Sequence, residues 1–191
     1  ASVSDLPVPN RYQLLQPLIE DPVKYVRLEV ARQLAELPLQ QLPEIYANQL
    51  LSLYAEFIEA SEFNADMPGT MTDLALFYIN RGDYVAAESS LDHALLVSSE
   101  YLPAILNLAD LYRMLERENE GEILLQRAIE SYPDSADTAH ALGLLYIRAQ
   151  RMDLARDHLE TAFNLAPDNA RYVLVYVLAL ERLGEIPEAV R

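Results

Sequence analysis

Residues 102–135 run LPAILNLADLYRMLERENEGEILLQRAIESYPDS, and residues 136–169 run ADTAHALGLLYIRAQRMDLARDHLETAFNLAPDN. Superposed, the two stretches pair Leu108 with Leu142, Ala109 with Gly143, Tyr112 with Tyr146, Gly121 with Ala155, Leu125 with Leu159, Ala128 with Ala162 and Pro133 with Pro167, always 34 residues apart. The same frame reaches back to Leu74, Ala75, Tyr78, Ala87, Leu91 and Ala94, where Ser99 replaces the proline, and forward to Ala189. A period of this length makes each unit one supersecondary element, so it decides the fold before any single helix is considered.

Within a unit, Leu and Tyr four residues apart share one helical face, and the later small, Leu and Ala positions share another. Each unit is therefore predicted to be two helices. Small residues at Ala75, Ala109 and Gly143, and at Ala87, Gly121 and Ala155, allow the two helices to approach closely where they cross. Gly82 and Gly184 are expected in turns, and the steps Pro133-Asp134 and Pro167-Asp168 to end one helix and cap the next.

These residues resemble the tetratricopeptide repeat family, whose pattern orders Leu-Gly, Tyr, Ala, an aromatic or Leu, Ala and Pro through a helix-turn-helix. The resemblance implies an all-α fold, a right-handed α-α superhelix, with units at 68–101, 102–135 and 136–169 and a truncated one at 170–191. Departures are the absence of tryptophan and Tyr176-Val177 where Leu-Gly is expected. Val177 implies a looser last crossing. A final unit without its second helix leaves an apolar face uncovered, so fraying or a homodimer through that end is expected.

Upstream the period fades but helices continue. Asp21-Pro22 is predicted to open a helix with Val23, Val26, Val30, Leu34 and Leu37 on one face until Pro38, and Pro17 to kink or delay the preceding one. Leu14-Leu15, Asp21-Pro22, Val26-Arg27, Ala31 and Leu34 resemble one HEAT-type repeat, giving a HEAT-like helical pair at 1–39. Pro43 and Glu44 open a helix to about Ala60, a half-repeat joining the parts at 40–67, and 68–191 is the repeat domain. This order is also similar to the C-terminal region of bacterial multihaem cytochrome c proteins.

The 191 residues carry 30 acidic and 14 basic side chains, net −16, which opposes binding to nucleic acid or an anionic membrane. The absence of cysteine excludes thiolate metal sites, disulfides and covalent haem attachment within these residues. No cofactor is expected here; under the cytochrome resemblance any haem lies in other parts of a parent protein, from which this chain would be an excised piece. No signal peptide is visible in residues 1–10. The longest apolar run, Tyr172 to Leu180, is too short to cross a bilayer.

The tetratricopeptide resemblance implies that first helices line a concave face that binds extended peptides. Its contact positions fall on Thr72, Asp73, Leu76 and Asn80, on Leu106, Asn107, Asp110 and Arg113, and on His140, Leu144 and Arg148. Asn107 stands where the family often holds a ligand backbone, its amide being both donor and acceptor. Thr72, Leu76 and Asp137 replace the lysines and asparagine of the family's clamp for a terminal carboxylate, so that ligand is not expected. Ile79 and Ile147 are expected to be core.

His93, His140 and His158 lack a second histidine at ligand spacing, and no nucleophile-base pair is apparent, so neither a metal site nor catalysis is expected. Glu116, Glu118, Glu120 and Glu122 fall in a predicted turn and helix start. From Asp83 to Asp137 twelve acidic residues accompany three arginines, a surface suited to a basic partner. The function expected is a non-catalytic protein-protein interaction scaffold with a protein or peptide on its concave face. The alternative is a docking or oligomerisation module of a multihaem cytochrome c protein. The compartment would be the periplasm in that second case and the cytoplasm otherwise.

Overall fold

The computed structural model describes residues 6–185. Among them the elements are all helical, and they fall into two compact units, 6–99 and 100–185.

The first unit contains α1 (Val8–Leu15), α2 (Lys24–Gln33), α3 (Glu44–Phe63), α4 (Pro68–Arg81) and α5 (Tyr84–Val97). Pro17, expected to kink or delay the first helix, instead follows its end: α1 stops at Leu15 and a 3-10 turn, Gln16–Leu18, takes over. The start of α2 differs from expectation. The Asp21 carboxylate accepts from the Val23 amide at 2.8 Å, closing an Asx turn before the helix, which begins only at Lys24 and leaves Val23 55% exposed. Leu34 and Leu37 are buried, yet they lie beyond the end of α2. The segment after α2 is anchored from outside: Tyr54 Oη donates to Leu34 O at 2.6 Å, and Arg81 Nη1 donates to Ala35 O and Leu37 O at 3.1 and 3.2 Å. These bonds give carbonyls of a non-helical segment side-chain donors from α3 and α4. Arg81 also lies over the Tyr54 ring, and Phe77 packs against Tyr54 and Phe57 with ring centroids 5.3 and 4.9 Å away.

The second unit contains α6 (Leu102–Met114), α7 (Glu118–Ser131), α8 (Ala136–Arg148), α9 (Met152–Leu165) and α10 (Ala170–Leu183). The residues that repeat in sequence are those that are buried: Leu108, Leu125, Ala128, Leu142, Tyr146, Ala155, Leu159 and Ala162 are all at most 3% exposed. In the first unit Leu74, Ala75, Ala87, Leu91 and Ala94 are likewise buried. Ile79 and Ile147, expected in the core, are half-buried. The second helix of a fourth repeat, including Ala189, lies outside the described residues, as does whatever Val177 would cross.

The turns repeat as well. Gly82, Glu116, Gln150 and Gly184, each 34 residues from the next, all adopt positive φ, at 76°, 59°, 57° and 74°. In every case the following amide donates back to the carbonyl five residues earlier, Asp83 to Tyr78, Arg117 to Tyr112, Arg151 to Tyr146 and Glu185 to Leu180, at 2.8–2.9 Å. Glycine takes this left-handed conformation freely, and Glu116 and Gln150 do not. In those two turns the next residue is an arginine stacked on the repeat tyrosine, Arg117 over Tyr112 at 4.4 Å and Arg151 over Tyr146 at 4.6 Å. The arginine-tyrosine contact helps to offset the strain. The caps differ from expectation by one place: Ser135 and Asn169, not Asp134 and Asp168, accept from the first-turn amides of α8 and α10, because those helices start at Ala136 and Ala170. Asp83 caps α5.

The two crossing glycines of the second unit are not equivalent. A Cβ on Gly143 would lie 2.6 Å from Cγ and Cδ2 of fully buried Leu159, whereas one on Gly121 would meet nothing nearer than 3.6 Å. Gly143→Ala should lower unfolding free energy in urea by about 1–2 kcal/mol, overpacking outweighing the gain in helix propensity, while Gly121→Ala should raise it by about 0.5–1 kcal/mol. Glu116→Gly and Gln150→Gly should each be neutral or stabilising by up to about 1 kcal/mol in the same titration, since strain is relieved at φ > 0 while unfolded-state entropy rises.

Candidate functional site

In the second unit the first helix of each pair faces the same way. Residues at helical spacing on α6 (Leu106, Asp110, Arg113) and α8 (His140, Leu144, Arg148), with Asn107 beside them, line a groove of about 590 Å³. Arg171 and Tyr172 of α10 close one side, and Ala109, Leu125, Ala141 and Leu145 also line it. Seven of the eleven predicted contact positions are therefore brought together.

The other four belong to α4 of the first unit. Leu76 and Asn80 are exposed there, but Thr72 is only 4% exposed and its hydroxyl donates to Pro68 O at 2.8 Å within its own helix. Thr72 thus faces packing and not solvent, which removes it from any ligand-contacting surface. Asp73 is exposed.

Asn107 Nδ2 donates to Pro103 O at 2.8 Å, which leaves its carbonyl oxygen as the available acceptor. Arg113 Nε donates to Asp110 Oδ1 at 2.6 Å. Arg148, at the end of α8, makes no hydrogen bond or ion pair among the described residues. Burial and the neighbouring Arg113 guanidinium pull its pKa below the ordinary arginine value. His140 is 4% exposed, its ring 4.5 Å from that of Tyr172, and neither ring nitrogen has a hydrogen-bond partner among the described residues. Burial, helped by Arg171, lowers its pKa and keeps it neutral. Tyr172 donates its hydroxyl to Asp137, and burial together with that carboxylate pushes the tyrosine up to about 12.

Arg171 and Tyr172 are not among the predicted site residues, although the repeat spacing places them: they stand 34 residues after Asp137 and Thr138. Glu118, at the start of α7, acts electrostatically on Arg148, while Glu120 and Glu122 are engaged elsewhere. Glu120 pairs with Arg117, and Glu122, on α7, is held by Arg151 at 2.8 Å and accepts from Tyr146 Oη at 3.1 Å. Among the described residues no three His, Asp or Glu side chains gather where they could hold a metal ion, and no helix is long and apolar enough to cross a membrane.

Residues 78–145 and 136–169 each match a family model described as tetratricopeptide repeat. Residues 78–169 are thus similar to tetratricopeptide repeats throughout. A curated relative, the anaphase-promoting complex subunit CDC16 of Saccharomyces cerevisiae, is 27% identical over 159 residues, covering 75% of this chain and 19% of that protein. The chain thus matches about a fifth of that relative's length. Among solved structures the fold is similar to a crystal structure of MamA (TM-score 0.59, 25% identity, 75% of this chain and 82% of that one). It is also similar to a thermophilic TPR protein of Thermus thermophilus (TM-score 0.61, 22% identity, 91% and 92% covered). A third similar structure is MamA 41-end of Desulfovibrio magneticus RS-1 (TM-score 0.57, 16% identity, 83% and 86% covered). At these identities the latter two show the helical-repeat fold alone.

His140 inside the repeats has a measurable consequence. Its folded pKa lies below the ordinary value of 6.5, so the unfolded chain takes the proton first and stability falls as pH drops through 6.5 toward the folded value. Denaturation titrations from pH 7.5 to 5 should show that loss flattened in His140→Phe, by no more than about 1.4 kcal/mol per pH unit, the limit for one proton. His158, also lowered by burial, supplies a residual slope that His140→Phe leaves in place.

Proposed function

We propose that this chain is a non-catalytic interaction scaffold whose second-unit groove holds an extended segment of a protein partner. The observation that supports the reading is the convergence of Leu106, Asn107, Asp110, Arg113, His140, Leu144 and Arg148 on one groove. Apolar side chains there alternate with hydrogen-bonding groups. That mixture suits a segment whose apolar anchors enter while its main chain is held by polar groups. Proteins similar in sequence and fold include a subunit of a multiprotein complex, which is in keeping with scaffolding. The groove presents no activated nucleophile and no paired acid and base, so binding is the chemistry its side chains can perform.

A basic partner, the expectation from the twelve acidic residues between Asp83 and Asp137, would meet on α7 two glutamates, Glu120 and Glu122, that already hold arginines of the chain itself. Docking to a cytochrome rests on the order of the repeats and on the phrase Asp21-Pro22 with Val26-Arg27, and the HEAT-like reading of 1–39 on that phrase together with Leu14-Leu15, Ala31 and Leu34. In the first unit Arg27 is committed to Glu56 and to Asp21 O, at 2.5–2.9 Å.

Affinity capture with the whole chain, repeated with Asn107→Ala and Arg148→Ala, tests the groove. Both side chains are at the groove, so their loss should weaken the captured complex about tenfold without changing the melting curve. Partners retained equally by both variants would place the binding surface elsewhere.

A further inference from the structure

The geometry points to an acidic occupant for this groove: an extended segment that sets an aspartate or glutamate carboxylate against Arg148, beside Arg113, and a main-chain peptide group against His140. The inference rests on the groove reading above and adds the sign of the charge that is recognised.

Arg148 is the first reason. It ends α8 at the groove without any hydrogen bond or ion pair among the described residues, next to Arg113, whose Nε alone is engaged by Asp110. Two guanidinium groups facing one groove repel each other, and a carboxylate between them relieves the repulsion through charge-assisted bonds. His140 is the second. A buried polar side chain almost always has a hydrogen-bond partner, and this one, 4% exposed and lining the groove, has none among the described residues for either ring nitrogen. Both nitrogens are themselves closed to solvent, so a peptide C=O or N–H bonds one of them only once the groove wall gives way.

The groove's own carboxylates supply the third reason. Asp110 is engaged by Arg113, and Asp137 accepts from the Tyr172 hydroxyl. An incoming cation therefore finds both acids occupied. An incoming carboxylate finds Arg148 and Arg171, whose side chains make no hydrogen bond or ion pair among the described residues, although Glu118 and Asp110 act on Arg148 from farther off. The chain's net charge of −16 opposes approach at long range. Salt screens that repulsion beyond about 8–10 Å, leaving the local arginines to decide contact.

The test uses the whole chain and a synthetic array of random dodecapeptides, acetylated and amidated so that no terminal carboxylate is offered. Bound peptides should be enriched in aspartate or glutamate next to apolar residues. Replacing the acidic residue of a bound peptide by its amide should weaken binding about tenfold by fluorescence anisotropy, and Arg148→Gln should do the same while Arg148→Lys loses less. The peptide-side replacement needs no protein variant, so it stands even if Arg148→Gln folds poorly. Binding should also move the His140 ring nitrogen resonances. Selected peptides that are basic or neutral, or acidic peptides that bind Arg148→Gln as tightly as the parent, overturn the acidic assignment. In that case loss of binding on Asn107→Ala and Leu144→Ala keeps the groove reading. Binding indifferent to all of these substitutions overturns both.

Discussion

The distance between paired helices is the constraint on which the rest depends. At the crossing of α8 and α9 the space over Gly143 is already filled by Leu159, to the point where one more carbon would lie 2.6 Å from it. Contact at this range lets Leu142, Tyr146, Ala155, Leu159 and Ala162 exclude solvent almost completely with modest side chains. It also fixes which faces remain outside. Once the inner faces of α8 and α9 are committed to each other, His140, Leu144 and Arg148 are left along another stripe of α8, and the groove residues of α6 follow by the same packing. The site is thus a by-product of core geometry and requires no loop to build it.

Charge is arranged on a second principle. The excess of acid is large, yet many carboxylates are engaged by the chain's own arginines: Glu36 by Arg11, Glu56 by Arg27, Glu120 by Arg117, Glu122 by Arg151. The exposed pairs among them, such as Glu120 with Arg117, add little to stability. Their effect is on what the surface offers a partner. In the groove the two lining carboxylates are engaged, Asp110 by Arg113 and Asp137 by the Tyr172 hydroxyl, while the side chains of Arg148 and Arg171 make no hydrogen bond among the described residues.

Much of this is legible in the sequence, for a physical reason. A repeat needs the same residue at the same crossing each time, so Leu142, Gly143, Tyr146 and Leu159 announce their burial by recurring, and the helix pairs follow. The groove positions of α6 and α8 are legible through the same frame. What escapes depends on contacts that do not recur. The start of α2 is set by a side-chain bond from the Val23 amide to Asp21, which apolar periodicity does not register. Thr72 is expected to contact a ligand, but its hydroxyl turns to Pro68 O of its own helix. The left-handed turns at Glu116 and Gln150 carry no glycine to mark them, although the period from Gly82 to Gly184 passes through both.

Those turns bear on how the chain avoids pairing its helices wrongly. Units built to one template invite exchange, α6 against α9 for instance, because the apolar stripes are nearly interchangeable. Each turn is locked by a bond between residues five apart, such as Tyr112 O with Arg117 N and Tyr146 O with Arg151 N. Loops of about ten residues close within about 10–100 ns, whereas synthesis adds about 5–20 residues per second. A hairpin can therefore close on its own partner long before the next unit has been made. Speed of local closure, and not only the depth of the final energy minimum, then keeps neighbouring copies of the motif in order.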